Sequence, residues 1–201
     1  MVPRFRLDKD DDVKTPPEPP PFTAISQALY KSRTVLIFGE VDMKMAERVT
    51  ANLLALSAED PNKDIKVVVH SPGGHVESGD TIHDMIKALR PKVKTIGTGW
   101  VASAGTHIYL AADKAHRFAL PNTRFMIHQP LGGIRGSASD IEIEAEEIIK
   151  MHERINQTIA DETGQPLAKV KEDTDRNYWM SAEEAKAYGL VTRIIERVDM
   201  A

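Results

Sequence analysis

The chain contains no cysteine, which excludes disulfides and cysteine-ligated metal sites. It has no excess of positive charge either. Its 26 Lys and Arg stand against 30 Asp and Glu, a formal net charge of -4, so there is no broad basic surface to hold nucleic acid. No apolar run is long enough to cross a bilayer, and the N-terminal residues lack the apolar core of a secretion signal. The expectation is a cytoplasmic protein with no membrane partner. A Gly-x-x-x-x-Gly-Lys-Ser/Thr loop for nucleotide phosphates is missing, as is any close internal repeat. What is present, 201 residues of which 41% are hydrophobic, suffices for one substantial core.

Composition shifts once along the chain. Arg4-Phe-Arg-Leu-Asp-Lys-Asp-Asp-Asp12 runs into Thr15-Pro-Pro-Glu-Pro-Pro-Pro21, a charged and then polyproline-like stretch that reads as an extended tail over residues 1–21. Residues 22–201 form the remaining domain. Within it short apolar runs alternate with amphipathic ones. Strands are expected at Thr34–Phe38, Ile65–Val69, Val93–Trp100, Phe118–Leu120, Arg124–Ile127 and Leu190–Ile195, and helices at Met43–Ser57, Val76–Leu89 and Ser181–Tyr188. Such alternation predicts an α/β core of buried strands and crossover helices. The longest helical pattern runs from Ser139 to Gly164, where Ser139 and Glu142 have capping-box spacing and Gly164 is a plausible stop. Ile141, Ala145, Ile148, His152, Ile155 and Ile159 fall on one stripe, the pattern of a core-facing helix.

The chemistry-bearing feature is Gly99-Trp-Val-Ala-Ser103-Ala-Gly105, followed by Met126-Ile-His128-Gln-Pro130. A serine where a strand turns into a helix exposes its hydroxyl beside free backbone N–H groups, which favour developing negative charge. By itself this is more often the pattern of a close-packed turn, and Val101 breaks the Gly-x-Ser-x-Gly form. A second glycine element, His70-Ser-Pro-Gly-Gly-His75, follows the Ile65–Val69 run. With the N–H of Ala104, the N–H of Gly74 could form an oxyanion hole; the alternative is an ordinary strand-to-helix turn.

Together these segments resemble the proteolytic subunits of the ATP-dependent Clp protease. Ser71-Pro-Gly-Gly74, Ala102-Ser103, Leu120-Pro-Asn122, Met126-Ile-His-Gln-Pro-Leu-Gly-Gly133, Asp140-Ile-Glu-Ile143, Thr163-Gly164 and Tyr188-Gly-Leu-Val191 carry the resemblance, over roughly residues 34–195. It implies a crotonase-like fold of repeated ββα units with a protruding strand-helix handle at about 129–163. It also implies a serine endopeptidase acting on unfolded proteins inside two stacked heptamers. ATP would be used only by a separate hexameric unfoldase, with no metal or cofactor in this subunit. The handle strand would be Gln129–Gly136, and the handle helix would pack between rings, which competes with the core-facing reading.

The resemblance assigns the nucleophile to Ser103, the base to His128 and the oxyanion donors to Gly74 and Ala104. Gapless counting puts the family's aspartate on Asn177, in Asp173-Thr-Asp-Arg-Asn-Tyr-Trp179. The chain therefore reads as Ser-His-Asn. An asparagine can accept the histidine Nδ1–H but brings no charge to the imidazolium. Asp175 is a rival orienting group, or simply an exposed loop acid. Two other functions stay open: a low-activity structural or regulatory paralogue in a mixed-ring complex, and a crotonase-like acyl-CoA enzyme. Of the remaining histidines, His70 and His75 could line the cleft, and His107 is either a support near Ser103 or a packed core residue. His83, His116 and His152 read as surface or interface residues, and Trp100 and Trp179 as packing around the site.

Overall fold

The computed structural model describes residues 21–130 and 135–201. The expected tail, up to residue 20, and the middle of the expected handle strand, residues 131–134, lie outside the described residues. Chain order is α1 (Pro21–Lys31), β1 (Thr34–Phe38), α2 (Met43–Glu59), β2 (Ile65–Ser71), α3 (Val76–Ala88), β3 (Val93–Ala102), α4 (Ala104–Tyr109), β4 (Arg117–Ala119), β5 (Arg124–Ile127), α5 (Ala138–Thr163), α6 (Leu167–Thr174), β6 (Tyr178–Ser181), α7 (Ala182–Tyr188) and β7 (Arg193–Ile194). This is the α/β alternation that the pattern predicted. Helices α1 and α6 and strand β6 had no periodic signal long enough to announce them.

One seven-stranded sheet runs β1-β2-β3-β4-β7, with β5 beside β3 and β6 beside β5. Every pairing is parallel except β5 with β6. Strand β2 shows why the sequence settles this way: Ile65, Val67, Val69 and Ser71 are buried, while Lys66, Val68 and His70 on the other face are half-buried. Helix α2 begins at Asp42, whose carboxylate accepts the Met45 N–H at 2.7 Å. It turns Met45, Val49, Leu53 and Leu56 onto the sheet. A smaller cluster of Ile96, Phe118 and Ile195 fills the opposite face.

Strand β3 was expected to stop near its glycines. Instead it continues to Ala102 through a bulge, since Val69 pairs with Gly97 but Ser71 with Val101. Gly99 has φ +56°, and a Cβ there would lie 2.4 Å from His70 Nδ1. That same nitrogen accepts the Trp100 N–H at 3.0 Å. His70 therefore serves the bulge rather than the cleft. The bend divides β3, whose first half pairs with β4 and whose last residues, Trp100–Ala102, pair with β5.

Helix α5 corrects one expectation. Its cap is Ser137, which exchanges hydrogen bonds with Asp140, not Ser139 with Glu142, because the backbone is already helical at Ala138. Along the expected stripe Ile141 is exposed, Ala145, Ile148, His152 and Ile155 are half-buried and Ile159 is buried, while Ile143 and Ile149 are exposed off it. Only the C-terminal part, at Asn156, Ile159, Ala160 and Thr163, is buried.

Two buried arginines fasten the loops between these elements. Arg33 donates to the carbonyls of Leu56, Asp60, Lys63 and Asp64, closing the C-terminal end of α2. Arg117 is fully buried and donates to the carbonyls of Ala112, Leu110 and Glu162 at 2.8–2.9 Å and to the Glu162 carboxylate. Removing one side of such a network strands the other. Arg117→Leu should therefore destabilise the fold by about 3–5 kcal/mol, read as a lowered midpoint of urea denaturation. A midpoint within experimental scatter of the parent would show that the carbonyls find water instead.

Candidate active site

Ser103 sits between β3 and α4 with φ 55° and ψ -124°, a backbone conformation unfavourable for a residue with a side chain. Neighbouring bonds hold it there. Its N–H donates to the Met126 carbonyl at 2.9 Å, and the Thr106 hydroxyl reaches the carbonyls of Val101 at 2.7 Å and Met126 at 2.9 Å. The Gly73 turn lies against the serine, since a Cβ at Gly73 would be 2.5 Å from Ser103 Cβ. Gly73 also has φ +100°, so a side chain there would be both strained and in collision.

Strand β5 delivers His128 immediately after its last residue. His128 Nε2 lies 2.7 Å from Ser103 Oγ, and His128 Nδ1 lies 2.9 Å from Asn177 Oδ1. Asn177 is held by the segment that precedes it. The Gln129 N–H donates to the Thr174 carbonyl at 2.6 Å, and its side-chain amide donates to the Asp175 carbonyl at 2.8 Å. Tyr178, the next residue, then pairs antiparallel with Ile127. Asp175 offers His128 no carboxylate; its acid group is exposed and 3.8 Å from Arg176. Asn177 is itself exposed.

Val41 bonds to either side of Gly74: its N–H reaches the Gly73 carbonyl and its carbonyl takes the His75 N–H, both at 2.8 Å. In a parallel bridge this leaves the Gly74 N–H facing away from Val41. Ala104 is the first residue of α4, so its N–H has no partner within the helix. The structure thus brings Ser103, His128 and Asn177 into one hydrogen-bonded series, with Ala104 next to the serine in sequence and Gly73, the neighbour of Gly74, packed against it. A hydroxyl hydrogen-bonded to an imidazole whose far nitrogen is anchored can act as an activated nucleophile.

Sequence reasoning missed what lies beneath the serine. His107 Nε2 is 2.9 Å from Asp80 Oδ1, and Arg154 from α5 is 2.7 Å from Asp80 Oδ2. His83, expected on the surface, is buried and stacked on His107 with ring centres 4.3 Å apart. Burial, then the nearby His107, push the His83 pKa down. For Asp80, burial acts upward, but the contacts from His107 and Arg154 outweigh it and hold the carboxyl well below the usual carboxylate range. Only the spacing of His107 from Ser103 hinted at this cluster. His75 bonds locally to Ser78 and Glu77. Trp100 and Trp179 form an exposed edge-to-face pair with centres 5.6 Å apart. No group of His, Asp and Glu able to hold a metal occurs among the described residues, and none of the described helices is long and apolar enough to cross a membrane.

The family model described as Clp protease matches residues 20–198. The ATP-dependent Clp protease proteolytic subunit 3 of Rhizobium etli is 57% identical over 188 residues, covering 94% of this chain and 96% of that protein. The proteolytic subunit 2 of Pseudomonas aeruginosa is 54% identical over 167 residues, 82% of each chain. Among solved structures, an asparagine-to-aspartate mutant of ClpP1 from Listeria monocytogenes aligns with a TM-score of 0.81 and 55% identity, over 87% of this chain and 98% of that one.

The Asp80 cluster gives a signed pH dependence. A carboxyl depressed by folding contributes stability that is complete above the unfolded pKa of about 3.9 and disappears as pH falls through that value toward the folded one. Asp80→Asn should therefore flatten the acid limb of the stability curve below about pH 5, measured by chemical denaturation at stepped pH. An acid limb as steep as the parent's would assign the linkage to other carboxyls.

Proposed function

Because the chain belongs to the Clp protease family, we propose that it is a serine endopeptidase subunit in which Ser103 attacks the peptide carbonyl. His128 Nε2 takes the serine proton and returns it to the leaving amine, giving an acyl-enzyme that water then hydrolyses. Asn177 fixes the tautomer of His128 by accepting Nδ1–H. The N–H groups of Gly74 and Ala104 hold the oxygen that becomes negative. The observation that carries this reading is the unbroken Ser103–His128–Asn177 relay, with links of 2.7 and 2.9 Å.

The relay works with one handicap. An aspartate would stabilise the imidazolium by charge, and asparagine replaces that charge with a dipole. Asn177 is also exposed in the single subunit, so water competes for the same hydrogen bond. Both features support a slow or conditional peptidase, and they give weight to a second reading as a regulatory subunit beside a more active paralogue. The assembly we propose is two stacked heptamers in the cytoplasm, fed with unfolded chains by a hexameric Clp-type ATPase. The exposed isoleucines of the N-terminal half of α5 suit a handle that packs against another subunit. The subunit needs no metal or cofactor of its own in this scheme.

Treatment with a fluorophosphonate, followed by intact mass and peptide mapping, tests the nucleophile. Labelling confined to Ser103 and absent from Ser103→Ala is expected; an unlabelled, folded and assembled protein would leave only the latent-subunit reading. Asn177→Asp should raise kcat, by up to about 10⁴ if the full cost of a neutral third member applies here. Equal or lower turnover in an assembled variant would exclude Asn177 as the orienting residue.

A further inference from the structure

The residue that presents its carbonyl to Ser103 carries its side chain on the carbon next to the reacting one, so that side chain has to be housed beside Ser103 and His128. The space there open to water-sized groups is about 30 Å³. Among the described residues its apolar walls are Val76, Ile127, Pro130, Ile155 and Ile159, and His107 completes them. A cavity that takes a benzene ring measures about 150 Å³, and a single water needs about 10–15 Å³. The room beside the serine therefore suits a methyl group and is too small for an isobutyl or benzyl group.

The walls are poorly placed to give way. Ile127 ends β5 and Ile159 belongs to the buried C-terminal part of α5, and both are buried. Val76, Ile127, Ile155 and Ile159 are all branched at Cβ, which leaves them stiff at χ1. His107 is wedged: its Nε2 lies 2.9 Å from Asp80 Oδ1, Arg154 lies 2.7 Å from Asp80 Oδ2, and its ring is stacked on the buried His83 with centres 4.3 Å apart. Extra methylenes forced into such a space drive side chains off their rotamers and shift backbone. An open apolar cleft would act in the opposite sense and reward each added methylene with burial.

We propose that the cavity closed by Val76, Ile127, Ile155, Ile159 and the wedged His107 sets a size limit on the substrate, so that the protein cuts after alanine in preference to leucine, methionine or phenylalanine. Alanine places one methyl in the cavity; leucine brings three further carbons and phenylalanine six. Size and not polarity is the criterion, so the preference holds whichever charge His107 carries. The inference rests on Ser103 being the nucleophile of a peptidase and adds a substrate class to it.

The test compares kcat/KM, on the full assembled protein, for peptides identical except for Ala, Leu or Phe before the scissile bond. The Ala peptide should exceed each of the others by about tenfold or more. Ile155→Ala removes three carbons from a half-buried wall position and should raise the Leu-to-Ala ratio by about tenfold. Where that variant does not assemble, Val76→Ala, which removes two, should move the ratio the same way. A parent that cleaves the Leu or Phe peptide as well as the Ala one overturns the proposal however the variants behave. So does a ratio unmoved in an assembled variant that still takes the fluorophosphonate on Ser103, and so does labelling of Ser103 without hydrolysis of the Ala peptide; these results defeat this inference alone. No hydrolysis of any peptide, with no fluorophosphonate label on Ser103, defeats the peptidase reading and this one with it.

Discussion

The backbone at Ser103 is the constraint on which the rest of the molecule depends. A serine at φ 55° and ψ -124° opposes its own local preference, so it persists only where its surroundings over-determine it. Three elements do so. Strand β5 accepts its N–H through Met126, Thr106 ties the turn to both β3 and β5, and the Gly73 turn after β2 closes over its Cβ. The conformation that aims the hydroxyl out of the sheet is thus a property of the central strands acting together.

The bulge in β3 makes this possible. By letting one strand pair with β4 in its first half and β5 at its end, it brings the exit of β5, and therefore His128, beside the serine turn. The antiparallel β5–β6 pair then returns the chain so that Asn177 arrives on the far side of the imidazole. The two glycines near the turn serve geometry rather than flexibility: at Gly73 and Gly99 a Cβ would strike Ser103 and His70 respectively.

Helix α5 connects this centre to the periphery. Arg154 reaches Asp80, Asp80 holds His107, and His107 stands in the helix that starts just after Ser103. Farther along, Glu162 meets both Lys87 and the buried Arg117. A displacement of α5 would therefore disturb charged contacts beneath the site as well as its own packing. The first half of the same helix carries the exposed Ile141, Ile143 and Ile149.

Much of this was legible in residue order. Strand and helix periodicities located most elements, and the segments around Ser71, Ser103 and His128 marked the stretches where Ser103 and His128 come into hydrogen-bond contact. Asn177 was reached by counting along a family resemblance, because nothing local marks it. The burial of His83, the Asp80–His107–Arg154 cluster, the passage of β3 through its glycines and the Ser137 cap depended on contacts between segments distant in sequence or on one residue's backbone angles. Sequence alone determined which functional groups exist: a serine, a histidine, a neutral amide in place of a charged third member, and no thiol. Tertiary structure decided which of seven histidines meets the serine and which lines the cavity beside it, because hydrogen bonds require distance and direction that only the packed sheet and helices supply.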